Sequence, residues 1–346
     1  MPWGNMPEPT PLKLVPSEPA PTTPPTSSGD PASGEPEGRN IVGGLVKMVR
    51  PHQWVKNVFV LAPIFFAKDL VTSTPGGDPA LNLVLTGRAL AATAVFCLLA
   101  GAVYTINDLV DVEADRVHPV KRRRPIASGV VPESLARAAA AGLVIASLGL
   151  AFLLDRGFAL VALAYFVENL LYSFRLKKVA FIDVSMIALG FVLRVWAGGL
   201  ATPVHVSGYM YACTALIALF LGFGKRRHEL AHENATKQRA ALKEYTKGSL
   251  TVALALTGSA TIVTYVAYTL DATTEEFFRS RNLWLTAPFV VFGIARFLFL
   301  VSGRAGRGAK AESPTQEMLR DVPFVLNIVA YVIIMVAIVY RLRPGT

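Results

Sequence analysis

From about residue 41 onward the chain alternates long apolar runs with short polar, mostly basic, connections. Nine runs approach the roughly 20 apolar residues that carry a helix across a bilayer. They lie at about 53–72, 84–107, 134–154, 157–174, 180–200, 207–224, 248–270, 282–302 and 322–341. The pattern predicts an all-α, polytopic membrane protein of nine transmembrane helices. The first run is the least regular, with Lys56, Asn57 and Lys68 at its ends. The third and fourth meet at Asp155-Arg156-Gly157, which predicts a tight helical hairpin. Residues 1–40 differ in kind. Pro7 to Gly38 is rich in Pro, Ser, Thr, Gly and Glu, too poor in large apolar residues to offset chain entropy. It reads as a disordered extension without the apolar centre of a signal peptide, preceding a membrane domain over 41–346.

Composition sharpens this picture. The chain is 53% hydrophobic and 17% charged, against about a quarter charged in a soluble domain. Its net charge of +10 sits in the connections. Of 34 Lys and Arg residues, 24 fall in segments on the N-terminal side of the membrane and seven on the other. The positive-inside rule then places the N-terminus in the cytoplasm of a cell-membrane protein. Basic residues confined to short loops between apolar spans argue against a nucleic-acid partner. Cys97 and Cys213 lie inside apolar runs and form neither a metal-ligand spacing nor a disulfide framework.

The connection after the second run reads Asn107-Asp108-x-x-Asp111-x-x-x-Asp115. On a helix the three aspartates share one face, so they repel unless a cation neutralises them. Hard oxygen donors select Mg²⁺, which takes its remaining ligands from phosphate oxygens. Basic groups recur at the same level: Lys121-Arg122-Arg123-Arg124, then Tyr172 with Lys177, Lys178 and Asp183, then Lys225-Arg226-Arg227, and Lys56 in the first run. Each alone also serves as a topology signal or interface anchor. Together they require a cavity open to the cytoplasm, holding a highly charged phosphate substrate with an apolar flank for lipid. Arg194 lies about 21 Å into the fifth run, too deep to snorkel, and predicts an inward-facing contact. Glu168 and Asn169 also read as inward-facing, either as a structural polar group or as a substrate contact. His118 reads as a loop histidine.

The first motif, and nine spans with the N-terminus inside, resemble the UbiA-type superfamily of intramembrane prenyltransferases over about residues 45–341. Ordinary members carry a second acidic motif. Here the chain departs, with Tyr172-Ser-Phe-Arg-Leu-Lys177 followed by Asp183-Val184. That variant, with Gln53-Trp-Val-Lys56-Asn57 and Lys121-Arg-x-Arg124-Pro125, resembles the actinobacterial decaprenyl-phosphate phosphoribosyltransferase branch. The resemblance implies transfer of phosphoribosyl from phosphoribosyl pyrophosphate to a polyprenyl (decaprenyl) phosphate, with inversion at the anomeric carbon, for cell-wall arabinan. It implies that Asn107, Asp108, Asp111 and Asp115 hold Mg²⁺ and the diphosphate. Lys56, Lys121, Arg122, Arg124, Tyr172, Lys177, Lys178, Arg194, Arg226 and Arg227 would bind substrate. Asp183 would orient the ribose or the metal, and the protein would form a homo-oligomer such as a trimer. A rival within enzymes is isoprenyl transfer to an aromatic acceptor, which calls for the second acidic motif. A transporter or binding protein is the remaining rival, against which the clustering of charge at one surface argues.

Overall fold

A computed structural model describes residues 40–66, 70–73, 79–230, 240–302, 318 and 320–341. The proposed disordered extension and most of the loops around 231–239 and 303–317 lie outside the described residues. A short helix α1 (Ile41–Met48) leads into a 3₁₀ helix, Pro51–Val60, and a short α2 (Ala62–Phe66). A two-stranded antiparallel hairpin follows, β1 (Val71–Ser73) against β2 (Pro79–Leu81), with Val71 opposite Leu81. Then come α3 (Leu83–Val110), α4 (Val112–Val117), α5 (Glu133–Leu154), α6 (Arg156–Phe174), α7 (Ile182–Ala201) and α8 (Gly208–Leu230). The chain ends in α9 (Lys247–Leu270), α10 (Ala272–Phe278), α11 (Ala287–Val301) and α12 (Val322–Arg341).

Among the described residues, eight helices are long and apolar enough to cross a membrane, against the nine expected. The difference is the run at 53–72. Pro51 and His52 directly precede it, polar Gln53, Lys56 and Asn57 interrupt it, and the chain is already a strand by Val71. A 3₁₀ helix rises about 2 Å per residue, so Pro51–Val60 and α2 together extend roughly 27 Å despite their few residues. The segment packs against α3 and α7. Its last carbonyl lies against Gly198, where a Cβ would come within 2.1 Å of the Val60 oxygen. Only glycine admits that approach. Such small residues let membrane helices pack closely where no hydrophobic drive separates protein from lipid.

Two cores hold the bundle. One joins Phe96 and Leu99 of α3 to Phe158 and Tyr165 of α6 and Leu193 of α7. The other joins Val184 of α7 and Phe220 of α8 to Leu250 of α9 and Phe297 of α11. The expected hairpin is present: Asp155 separates α5 from α6, and its carboxylate accepts the Phe158 N–H at 2.8 Å as an N-cap.

Candidate active site

The aspartate motif straddles a helix break. α3 ends at Val110, Asp111 leaves helical geometry (φ −94°, ψ 7°), and α4 begins at Val112. The i→i−4 bonds continue through it, Asp111 N–H to Asn107 and Asp115 N–H to Asp111. The single helical stripe expected from spacing is therefore split. Asp108 and Asp115 are buried and turn to one cation: Arg124 Nη1 lies 3.0 Å from Asp108 Oδ1 and 2.5 Å from Asp115 Oδ2. Asp111 is 39% exposed and accepts Lys177 Nζ at 3.0 Å on both oxygens. Lys121 Nζ stands 4.0 Å from Asp115. His118 organises the intervening turn, its Nδ1 accepting the Val120 and Lys121 N–H groups.

Arg50 completes this group and was not among the residues singled out by sequence. Its Nη2 donates to Asp108 Oδ1 at 2.5 Å, and its guanidinium lies 5.2 Å from the Tyr104 ring centre. Arg50 adopts a left-handed conformation (φ 52°, ψ 64°) directly before Pro51. A residue before proline is usually extended, so the ion pair and the ring contact hold a strained backbone.

The α6–α7 connection carries Lys177 and is itself pinned. Phe181 has φ 63° and ψ −43°, with the Ile182 N–H bonding the Ala180 carbonyl at 2.8 Å. This is the rarer, positive-φ γ-turn. Tyr245, just before α9, accepts the Phe181 N–H at 2.6 Å and donates to Asp183 Oδ1 at 2.7 Å. Arg226 Nε donates to Asp183 Oδ2 at 2.7 Å, while its Nη1 donates to Glu229 at 2.5 Å. Burial, then donation to Asp183, push the Tyr245 hydroxyl above its usual range, so it keeps its proton. Asp183 and Arg226 are 0% and 1% exposed. Both sit in a buried network, where Asp183 holds the turn and its lysines. Tyr172 is half-buried near the end of α6.

A second polar compartment lies deeper. Arg194 donates to Asn57 Oδ1 at 2.9 Å, to the Gly190 carbonyl at 2.9 Å and to Tyr165 at 2.7 Å. Glu168 accepts from Asn169 at 2.7 Å, and a Cβ on Gly190 would meet both Glu168 and Arg194 at 3.5 Å. The expected inward orientation of Arg194 and Glu168 is thus found. Lys56 is exposed in the turn next to Asn57. Asn107 and Arg227 are half-buried, and Arg122 and Lys178 are exposed beside the site. Of the last polar connection, only Met318, Arg320 and Asp321 are described between 303 and 321, and Asp321 forms a two-point ion pair with Arg296.

Among the described residues no three acidic, His or Cys side chains converge as a metal cluster. The donor set nevertheless fits a hard cation. One guanidinium nitrogen already touches carboxylate oxygens of both Asp108 and Asp115, so a single positive centre can be shared by the two.

Residues 60–320 match the UbiA prenyltransferase family. A decaprenyl-phosphate phosphoribosyltransferase of Mycolicibacterium smegmatis is 39% identical over 69% of this chain and 74% of its own length. One from Corynebacterium glutamicum is 34% identical over 87% of this chain and 88% of its own. Among solved structures, a UbiA homolog from Archaeoglobus fulgidus bound to GPP and Mg²⁺ superposes with a TM-score of 0.62 at 17% identity. It covers 86% of this chain and 99% of that one, a likeness of fold.

Proposed function

The chain belongs to the UbiA prenyltransferase family, and from that membership we propose that this multi-pass membrane transferase moves a 5-phosphoribosyl group from phosphoribosyl pyrophosphate to a polyprenyl phosphate. The printed names of its relatives suggest the donor and acceptor classes. The observation that carries the reading at the site is that every motif aspartate already meets a cationic side chain: Arg50, Arg124 or Lys177. A site that pairs its acids with so many bases suits a substrate bearing several phosphates.

Asn107, Asp108, Asp111 and Asp115 would hold Mg²⁺, which when bound neutralises charge on the departing diphosphate. Arg50, Arg124, Lys121 and Lys177 donate to the diphosphate oxygens, stabilising charge as the bond from ribose C1 to oxygen breaks. An oxygen of the lipid phosphate forms the new bond to C1 from the opposite face, inverting the centre. The diphosphate leaves with the bonding electron pair. The attacking phosphate is ionised near neutral pH, so no strong general base is required. Arg122, Lys178 and Arg227, at the rim, attract the lipid phosphate. Asp183 and Arg226 position the 175–181 turn without touching the reacting atoms. The reaction would face the cytoplasm of the cell membrane, in a homo-oligomer, and feed cell-wall arabinan synthesis.

Membranes containing the protein are incubated with Mg²⁺, polyprenyl phosphate and labelled phosphoribosyl pyrophosphate, and in parallel with labelled polyprenyl diphosphate and aromatic acceptors. Label from the phosphoribosyl donor should enter the lipid fraction. Label that reaches an aromatic product from the polyprenyl donor alone would reject the proposal in favour of prenyl transfer.

A further inference from the structure

The 3₁₀ geometry of Pro51–Val60 sorts its side chains into three ridges, because residues three apart eclipse. Trp54, Asn57 and Val60 form the ridge against the bundle, with Asn57 and Val60 buried. Val55 and Val58 form an exposed apolar ridge. The third ridge is Gln53, Lys56 and Phe59. Phe59 meets the Phe191 ring at 4.8 Å between centres, which turns this ridge toward α7 and Arg194, one turn beyond Phe191. Lys56 is exposed on this ridge, next to Asn57, which accepts from Arg194 at 2.9 Å. It lies roughly 12 Å along the helix from Arg50, hence beneath the aspartates.

The charges of this compartment do not balance. Arg50 is paired with Asp108. Arg194 shares its surroundings with Glu168. Lys56 has no carboxylate within ion-pairing distance among the described residues. A cation at this depth of the membrane domain, level with Arg194 and Cys97, is expensive unless an anion joins it. An anion that reaches this depth must belong to a substrate whose other end is held at the aspartates.

On the reading of the protein as a phosphoribosyl transferase, we propose that Lys56 is the anchor for the donor's 5-phosphate. The diphosphate then lies at Asp108–Asp115, the ribose hangs below it, and the 5-phosphate points inward to Lys56. Asn57, held by Arg194, fixes the helix turn that presents the lysine. The lipid phosphate, tethered to a chain in the bilayer, approaches at the rim. This division also explains selection against an isoprenyl donor, since its apolar tail would have to enter a compartment of Lys56, Arg194, Asn57 and Glu168.

The test uses purified full-length protein in lipid nanodiscs and two donors, phosphoribosyl pyrophosphate and ribose 1-diphosphate, which lacks the 5-phosphate. Wild-type kcat/KM should favour the first donor by about 10–100-fold, the range for a hydrogen bond to a charged group. Lys56→Ala and Lys56→Gln should erase that preference, mainly by raising KM for phosphoribosyl pyrophosphate, and leave ribose 1-diphosphate unchanged. Lys56→Arg should restore part of it. Equal losses for both donors, or no loss for either, in variants that elute and melt as wild type would overturn the assignment while the transferase reading stands. Wild-type protein that turns over neither ribosyl donor would overturn both.

Discussion

Arg124 serves two carboxylates with one nitrogen, and this economy makes the residue scale exacting. Asp115 is 2% exposed, and its short contact to Arg124 is its closest charged partner. Asn at 115 would keep shape and lose charge, leaving the guanidinium and any shared metal without half of their anchor. We expect Asp115→Asn to lower turnover by at least about 10²-fold, comparable to losing a donor that stabilises developing charge, while the protein still elutes as a folded species. Near wild-type turnover of the purified variant would remove Asp115 from the site. Much of this group was readable from sequence, because its members crowd into 107–124 and 172–183 as unusual charge at membrane edges. Arg50 was not. Its place beside Asp108, 58 residues away, depends on a positive φ that no local pattern demands.

At the scale of elements, local and long-range information separate more sharply. Eight helices follow from apolar length alone, since an unbroken run leaves the backbone no alternative in lipid. The run at 53–72 has the composition of a span, and Pro51 with its polar followers converts it to 3₁₀ geometry. The γ-turn at Phe181 was equally hidden, because the group that stabilises it is Tyr245, beyond a whole helical pair. That hydroxyl accepts one backbone N–H and donates to one carboxylate, both inside the protein. Tyr245→Phe retains the ring contact with Phe181 at 4.9 Å and strands both partners. It should destabilise the protein by about 1–3 kcal/mol, read as a lower melting temperature. Because the turn carries Lys177 to Asp111, KM for the donor should also rise more than kcat falls. A variant with unchanged melting temperature and KM would show that the turn holds itself.

For the molecule as a whole, the two ends of the bundle are built for different work. At one end lie the ion pairs Asp111–Lys177, Asp183–Arg226 and Asp321–Arg296, with the motif aspartates. At the other, Arg88 donates to the carbonyls of Ala201 and Leu154, the last residues of α7 and α5. A cation there satisfies two helix C-termini and complements their dipoles, a structural pin far from the chemistry. The basic bias of the connections predicts that the aspartate end faces the cytoplasm, and the proposed function, with a soluble phosphorylated donor, predicts the same. Single cysteines placed on a background of Cys97→Ser and Cys213→Ser test this directly. Val120 is 67% exposed at the aspartate end and Phe277 is 53% exposed at the other. In right-side-out vesicles an impermeant maleimide should label Val120→Cys poorly and Phe277→Cys readily, and inverted vesicles should exchange the two. The opposite pattern would place the aspartates outside the cell, where a cytosolic sugar diphosphate never reaches them, and the donor assignment would fall with the orientation.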